Sequence, residues 1–146
     1  MKRTIKPFSE LTTYEYHQLL ALRTAVFVVE QQCPYQEVDA IDLTATHFWL
    51  SEADEPIAYA RIYEEHAQWH IGRVVVAPHA RRQKLGTALV SQVVAWLAEQ
   101  GHDEIVISAQ AHLQAFYQTF GFQATSEEYL EDGIPHIEMK KSSLPN

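Results

Sequence analysis

Three of the chain's 11 lysine and arginine residues, Arg81, Arg82 and Lys84, fall within one short stretch, "VVVAPHARRQKLGTALV". A valine run precedes them and an apolar segment of helical period follows. Cations at a strand-to-helix turn suit one kind of chemistry, the holding of an anion. The first N–H groups of a helix have no partner inside it, and the helix dipole adds positive potential there. The amides of Arg82, Gln83, Lys84, Leu85, Gly86 and Thr87 are therefore candidate phosphate donors, with Arg81, Arg82 and Lys84 supplying charge. Gly86 lets a ligand approach the backbone. The loop has neither GxxxxGK[ST] nor GxGxxG, which excludes a nucleoside-triphosphate loop and the dinucleotide fingerprint.

The rest of the chain sharpens the contrast. Net charge is -8 over 146 residues. No lysine or arginine occurs from residue 24 to 60, where Glu30, Glu37, Asp39, Asp42, Glu52, Asp54 and Glu55 all lie. None occurs from 85 to 139 either. A bound anion would relieve repulsion at the isolated cationic spot, and a solvated turn is the plainer alternative. The acidic balance argues against general nucleic-acid binding. No apolar run is long enough to cross a bilayer, and "MKRTIKPFSE" lacks the apolar centre of a signal peptide. With the single cysteine, Cys33, this fits a cytoplasmic protein without a disulfide framework. No metal-ligand spacing appears among the histidines. The length fits one domain over 1–146, and a homodimer is compatible with all of this.

Hydrophobic period and turn residues predict the order β-α-β-β-β-α-β-α-β-β. The first helix runs through "LTTYEYHQLLALRTAVFVVEQ", with Thr12 and Glu15 at capping-box spacing. The second carries Leu85, Leu89, Val93 and Leu97 at i, i+4, with Gly101 as its cap. The fold class is mixed α/β, with helices on both faces of the sheet and parallel pairing only in the second half.

"VVVAPHARRQKLGTAL" resembles motif A of the GCN5-related N-acetyltransferases (GNAT), a hydrophobic strand followed by [Q/R]xxGxG/A. Arg81 takes the Q/R position, Gly86 the last glycine, and Lys84 replaces the middle one. "QAHLQAFYQTFGF" is similar to the family's NxxAxxxYxxxGF, with Gln110 in the Asn position. "LRTAVFVVEQQCPYQEVD" resembles the bacterial ElaA-like subgroup.

The resemblance implies a central, mostly antiparallel sheet of six to seven strands. It implies acetyl-CoA as co-substrate and transfer to a primary amine, on a small molecule or a protein, directly within a ternary complex. It places the pantetheine arm along Val74, Val75 and Val76, the pyrophosphate over 82 to 87, and Tyr117 near the sulfur as general acid. His70 stands where histone acetyltransferases carry a basic Glu, and strand alternation puts it with Gly72, Val74 and Val76. Glu30, Glu37, Asp39 and Asp42 fall where the family forms its acceptor wall, and His136, with Glu131 and Asp132, faces them. Alternatives are a CoA-binding module without turnover and a relative of the acyl-homoserine lactone synthases.

Overall fold

Thr12 opens the first helix with a reciprocal pair of bonds. The Glu15 N–H donates to Thr12 Oγ1 at 3.0 Å, and the Thr12 N–H donates to Glu15 Oε1 at 2.9 Å. In the computed structural model, which describes residues 1–142, this helix is α1, Thr13–Arg23. The expected helix then widens rather than continuing. Over Thr24–Glu30 the bonds become i→i+5, with the Gln31 N–H on Val26 O at 3.1 Å and the Cys33 N–H on Val28 O at 3.0 Å. A short helix, α2 (Ile41–Thr44), follows.

The strands are β1 (Lys2–Pro7), β2 (Thr46–Glu52), β3 (Glu55–Glu65), β4 (Gln68–Val76), β5 (Ile105–Gln110), β6 (Gln123–Ala124), β7 (Tyr129–Glu131) and β8 (Ile134–Lys141). Helix α3 (Leu85–Glu99) joins β4 to β5, and α4 (Gln114–Gln118) follows β5. The sheet order is β1-β2-β3-β4-β5-β8-β6, with β7 also on β8. All pairs are antiparallel except β4–β5, where α3 supplies the crossover that parallel strands require.

There are eight strands where six to seven are expected, because "FQATSEEYL" divides. Ala124 lies opposite Met139 and Tyr129 opposite His136. Between them Ser126 Oγ takes the Glu138 N–H at 3.0 Å, a side chain standing in for the ladder.

Alternation along β2 and β3 builds two cores. Phe48, Leu50, Ala58, Ala60 and Ile62 face Leu85, Leu89, Val93 and Leu97 of α3, all buried. Trp49 and Tyr59 face the other way, onto Leu19 and Val26. The sheet is thus covered on both faces. Gly101, at φ 87°, ends α3, and the His102 N–H caps Leu97 O at 2.8 Å. Among the described residues no helix is long and apolar enough to cross a membrane.

Candidate active site

The parallel pair is short. Trp69, His70 and Ile71 pair with Ile105, Val106 and Ile107, and beyond them β4 and β5 part. The cause lies on the other edge of β4. Arg61 faces Gly72 and Tyr59 faces Val75, so Arg73 and Val74 together oppose Ala60. This is a β-bulge, with Arg73 held at φ 52° in the left-handed region. A bulge bends its strand, and here it turns β4 away from β5. The gap becomes a cleft of about 500 Å³, walled by residues 72–76, 107–110, the widened helical turn, and Tyr117 and Phe116.

The bulge also resets which way side chains point. Val74 and Val76 pack on the α3 core, whereas Val75 joins Tyr59 and Trp49 on the opposite face. His70 pairs with Tyr63 and Gly72 with Arg61, so both share the face of Val75. The strict alternation that would place His70 with Val74 and Val76 is overturned by one extra residue. His70 does not line the cleft. It stacks on Tyr63 at 5.1 Å and 7°, with its Nε2 buried and unpartnered.

At its far end the cleft meets a hollow of about 330 Å³ over Arg82, Lys84, Leu85, Gly86 and Thr87. The two share Val76, Arg81, Gly86 and Phe116. Helix α3 starts without a side-chain cap and without an acid in its first turn. The Ala88 N–H bonds Lys84 O at 3.1 Å, so the amides ahead of it are those free to bind an anion. Arg82 and Lys84 make no ion pair among the described residues. Arg81 is engaged, donating to both oxygens of Glu30 at 2.8 and 2.6 Å. That pairing holds the Glu30 carboxyl below its ordinary range.

Lys84 takes φ 59° and ψ 28°, the left-handed shape for which glycine is the natural residue. The loop keeps its turn despite the substitution, at a cost in strain. Lys84→Gly is expected to raise unfolding stability by about 0.5 kcal/mol in urea titration, strain relief slightly exceeding the unfolded-state entropy of glycine. A destabilised variant would show that no strain is stored there.

Gln110, at the end of β5, lines the cleft and donates to Gln31 Oε1 at 3.3 Å. Tyr117 projects from α4 into the cleft wall and is 6% exposed. Burial pushes its phenol up to about 12, so it keeps its proton through the neutral range.

Of the expected acceptor wall, Glu30 lines the cleft, paired with Arg81, and the other three carboxylates lie elsewhere. Asp42 and Glu37 are buried, 0% and 5% exposed. Arg23, wholly buried, donates to Glu37 Oε2 at 2.7 Å and to Asp42 Oδ1 at 2.8 Å. Arg61 donates to both oxygens of Asp39, at 2.6 and 2.9 Å, and to Asp42 at 2.9 Å. Arg73 closes the network on Glu37 at 3.0 Å. Buried charges need partners, and here the acid-rich loop is neutralised by arginines just outside it in sequence. The charge count missed this. The signal was Arg23, four residues after the core Leu19, and Arg61 between the buried Ala60 and Ile62. Glu37, Asp39 and Asp42 therefore hold the loop against the sheet rather than presenting free charge.

His136 does reach the cleft, from β8, and is 7% exposed. Its Nδ1 donates to Ile134 O at 2.7 Å, and its Nε2 lies 3.2 Å from Glu131. Glu131 and Asp132 line the same end.

Residues 10–143 match the acetyltransferase (GNAT) domain. The chain belongs to the GNAT acetyltransferase family. Within this family it is 45% identical to protein ElaA of Escherichia coli over 142 residues, 93% of each chain. The crystal structure of that ElaA superposes with a TM-score of 0.92, over 97% of this chain and 100% of the other. An acyl-CoA N-acyltransferase from Pseudomonas aeruginosa, 44% identical, gives 0.92 over 97% and 99%. A relative in Schizosaccharomyces pombe is 42% identical over 139 residues, 92% of this chain and 93% of its own, so this branch of the GNAT family is not confined to bacteria. The GNAT match, the eight-stranded sheet and the parted strands together make the chain an acyltransferase of this family.

Proposed function

We propose that this GNAT member binds acetyl-CoA in the cleft and transfers its acetyl group to a primary amine by direct attack within a ternary complex. One observation carries this reading: the gap between β4 and β5 is continuous with the uncapped start of α3 and its cations. A slender chain ending in a diphosphate matches that shape and charge. Structural neighbours of the same fold hold coenzyme A or acetyl-CoA.

The backbone of residues 72 to 76 has no β5 partner, so its polar groups toward the cleft are available to an extended amide-bearing arm. An N–H at the bulge would face the thioester carbonyl and stabilise the charge that develops on its oxygen. Tyr117, protonated and cleft-facing, would hand its proton to the departing thiolate. Glu131 and Asp132 give the acceptor end a negative field that favours a cationic amine.

The test is to incubate the protein with acetyl-CoA and a panel of primary amines and to follow free thiol. Binding of coenzyme A without thiol release for any amine would leave a non-catalytic binding module instead. Tyr117→Phe is expected to lower kcat about 100-fold while KM for acetyl-CoA stays within about threefold. No fall in kcat from this phenol is expected below the ordinary tyrosine value of 10.0, because the raised group is still neutral there. Wild-type kcat in the Phe variant would remove the acid role.

A further inference from the structure

We infer that His136 is the general base of the transfer, held by its Nδ1 bond to Ile134 O, with Glu131 beside Nε2 as the carboxylate that receives the proton from the imidazolium and passes it to solvent. The inference rests on the acyl-transfer reading above. It starts from the two faces of the sheet. Tyr117 packs with Ile107, Ala109 and Ile137 in the α3 core. Ile137 and Met139 of β8 point into that core, so alternation turns His136 to the opposite face. Tyr117 and His136 both line the cleft where β4 and β5 have parted. They therefore address the gap from opposite faces. A direct transfer needs this arrangement, because the amine must arrive on one side of the thioester carbon and the sulfur depart on another.

The surroundings of His136 suit a proton acceptor. Nδ1 is committed to Ile134 O, an oxygen that only accepts, so in the neutral ring the hydrogen sits there and the lone pair is on Nε2. Tyr129 stacks on the ring at 6.2 Å, and its hydroxyl is anchored by Ser108 Oγ. Glu131 stands 3.2 Å from Nε2 and is 46% exposed, so it contacts both the ring and water. The other charged or titratable groups lining this end are Asp132, Cys33, Tyr35 and Arg73, the last paired with Glu37. His70, the candidate read from the sequence, is flat against Tyr63 and outside the cleft.

The proton balance closes. Nε2 takes one proton from the ammonium, and the imidazolium so formed donates to Glu131. The neutral amine attacks the carbonyl carbon, forming the C–N bond. The C–S bond breaks, and the thiolate takes the Tyr117 proton. The second proton of the nitrogen returns to the Tyr117 oxygen as the amide forms. The proton on His136 leaves past Glu131, so one proton is released per turnover.

The experiment measures thiol release from acetyl-CoA with the best amine of the panel, across pH, for wild type, His136→Gln and Glu131→Gln. Titration calorimetry with coenzyme A serves as the control for folding and binding. In His136→Gln, kcat/KM for the amine is expected to fall about 100-fold and the acidic limb of its pH profile to disappear, with coenzyme A affinity within about twofold. In the surface-exposed Glu131→Gln, the loss is expected to be about tenfold and the acidic limb to move rather than vanish. His136→Gln variants that bind coenzyme A and retain the wild-type pH profile would overturn the base assignment alone. Should His136→Gln fail to fold, an unmoved limb in Glu131→Gln would overturn it equally. No thiol release by the wild type for any amine removes the acyl-transfer reading, and the base with it.

Discussion

Arg23→Met is expected to cost about 3–5 kcal/mol of unfolding stability, measured by urea or thermal denaturation. The guanidinium lies at 0% exposure between Glu37 and Asp42, and its removal strands carboxylates that no water reaches. Arg61 and Arg73 still touch those acids, which keeps the loss finite. The same network sets an acid limit. Burial alone would raise the Asp42 carboxyl, but hydrogen bonds from Arg23 and Tyr16 outweigh it and hold the group below its ordinary 3.8. A depressed carboxyl contributes stability that is fully present above the unfolded value and is lost as pH falls through the folded one. The same holds for Asp39 with Arg61. Wild type should therefore weaken progressively below pH 3.8, and Arg23→Met should show a shallower dependence there. A loss under about 1 kcal/mol for Arg23→Met would mean that the network is not the clamp argued here.

Removing the three cations of the turn is the second large effect. The triple variant Arg81→Gln, Arg82→Gln, Lys84→Gln is expected to bind coenzyme A about 1000-fold more weakly in calorimetry. A charge-assisted contact to phosphate is worth about 1.5 kcal/mol at a partly solvated site, and two such contacts with a weaker third of about 1 kcal/mol give that factor. The contribution is electrostatic, so wild-type affinity should itself fall as salt rises while that of the variant barely moves. Arg81 adds less than the other two, because its guanidinium must first leave Glu30. Equal affinities for variant and wild type would show that the backbone amides alone hold the diphosphate.

Much of this is legible in the sequence. The stripe Leu85, Leu89, Val93 and Leu97 names the buried face of α3, because helical period is a local property. The Thr12 and Glu15 cap forms as spaced. The cationic turn falls at the start of α3, since the motif encodes a backbone shape that Lys84 adopts even without glycine. What stayed hidden is non-local. Nothing in "WHIGRVVV" announces that Arg73 and Val74 share one partner, so alternation misplaced His70. The arginines that neutralise Glu37, Asp39 and Asp42 lie outside the acidic stretch and meet it only through the sheet. Glu131 and His136 stand together as the sequence places them, but Tyr129 joins them only through the pairing of β7 with β8, which a single strand over "FQATSEEYL" does not give.

The extra residue in β4 makes the chain's tolerance to exchange and its tolerance to length diverge. Arg73 and Val74 opposite Ala60 are a matter of counting, so a different side chain at 73 keeps the count while its excision does not. Excising residue 73 would restore strict pleating with Val74 alone opposite Ala60, so Val75 and Val76 would keep Tyr59 and Ala58 as partners, every side chain would keep its side of the sheet, and only the bend that parts β4 from β5 would be lost. Excising a regularly paired residue such as Ile71 would instead leave the bulge in place and swap the sides of every position before the cut. Libraries built by codon removal should therefore return folded protein with a closed cleft at 73 and unfolded protein at the regularly paired positions beside it.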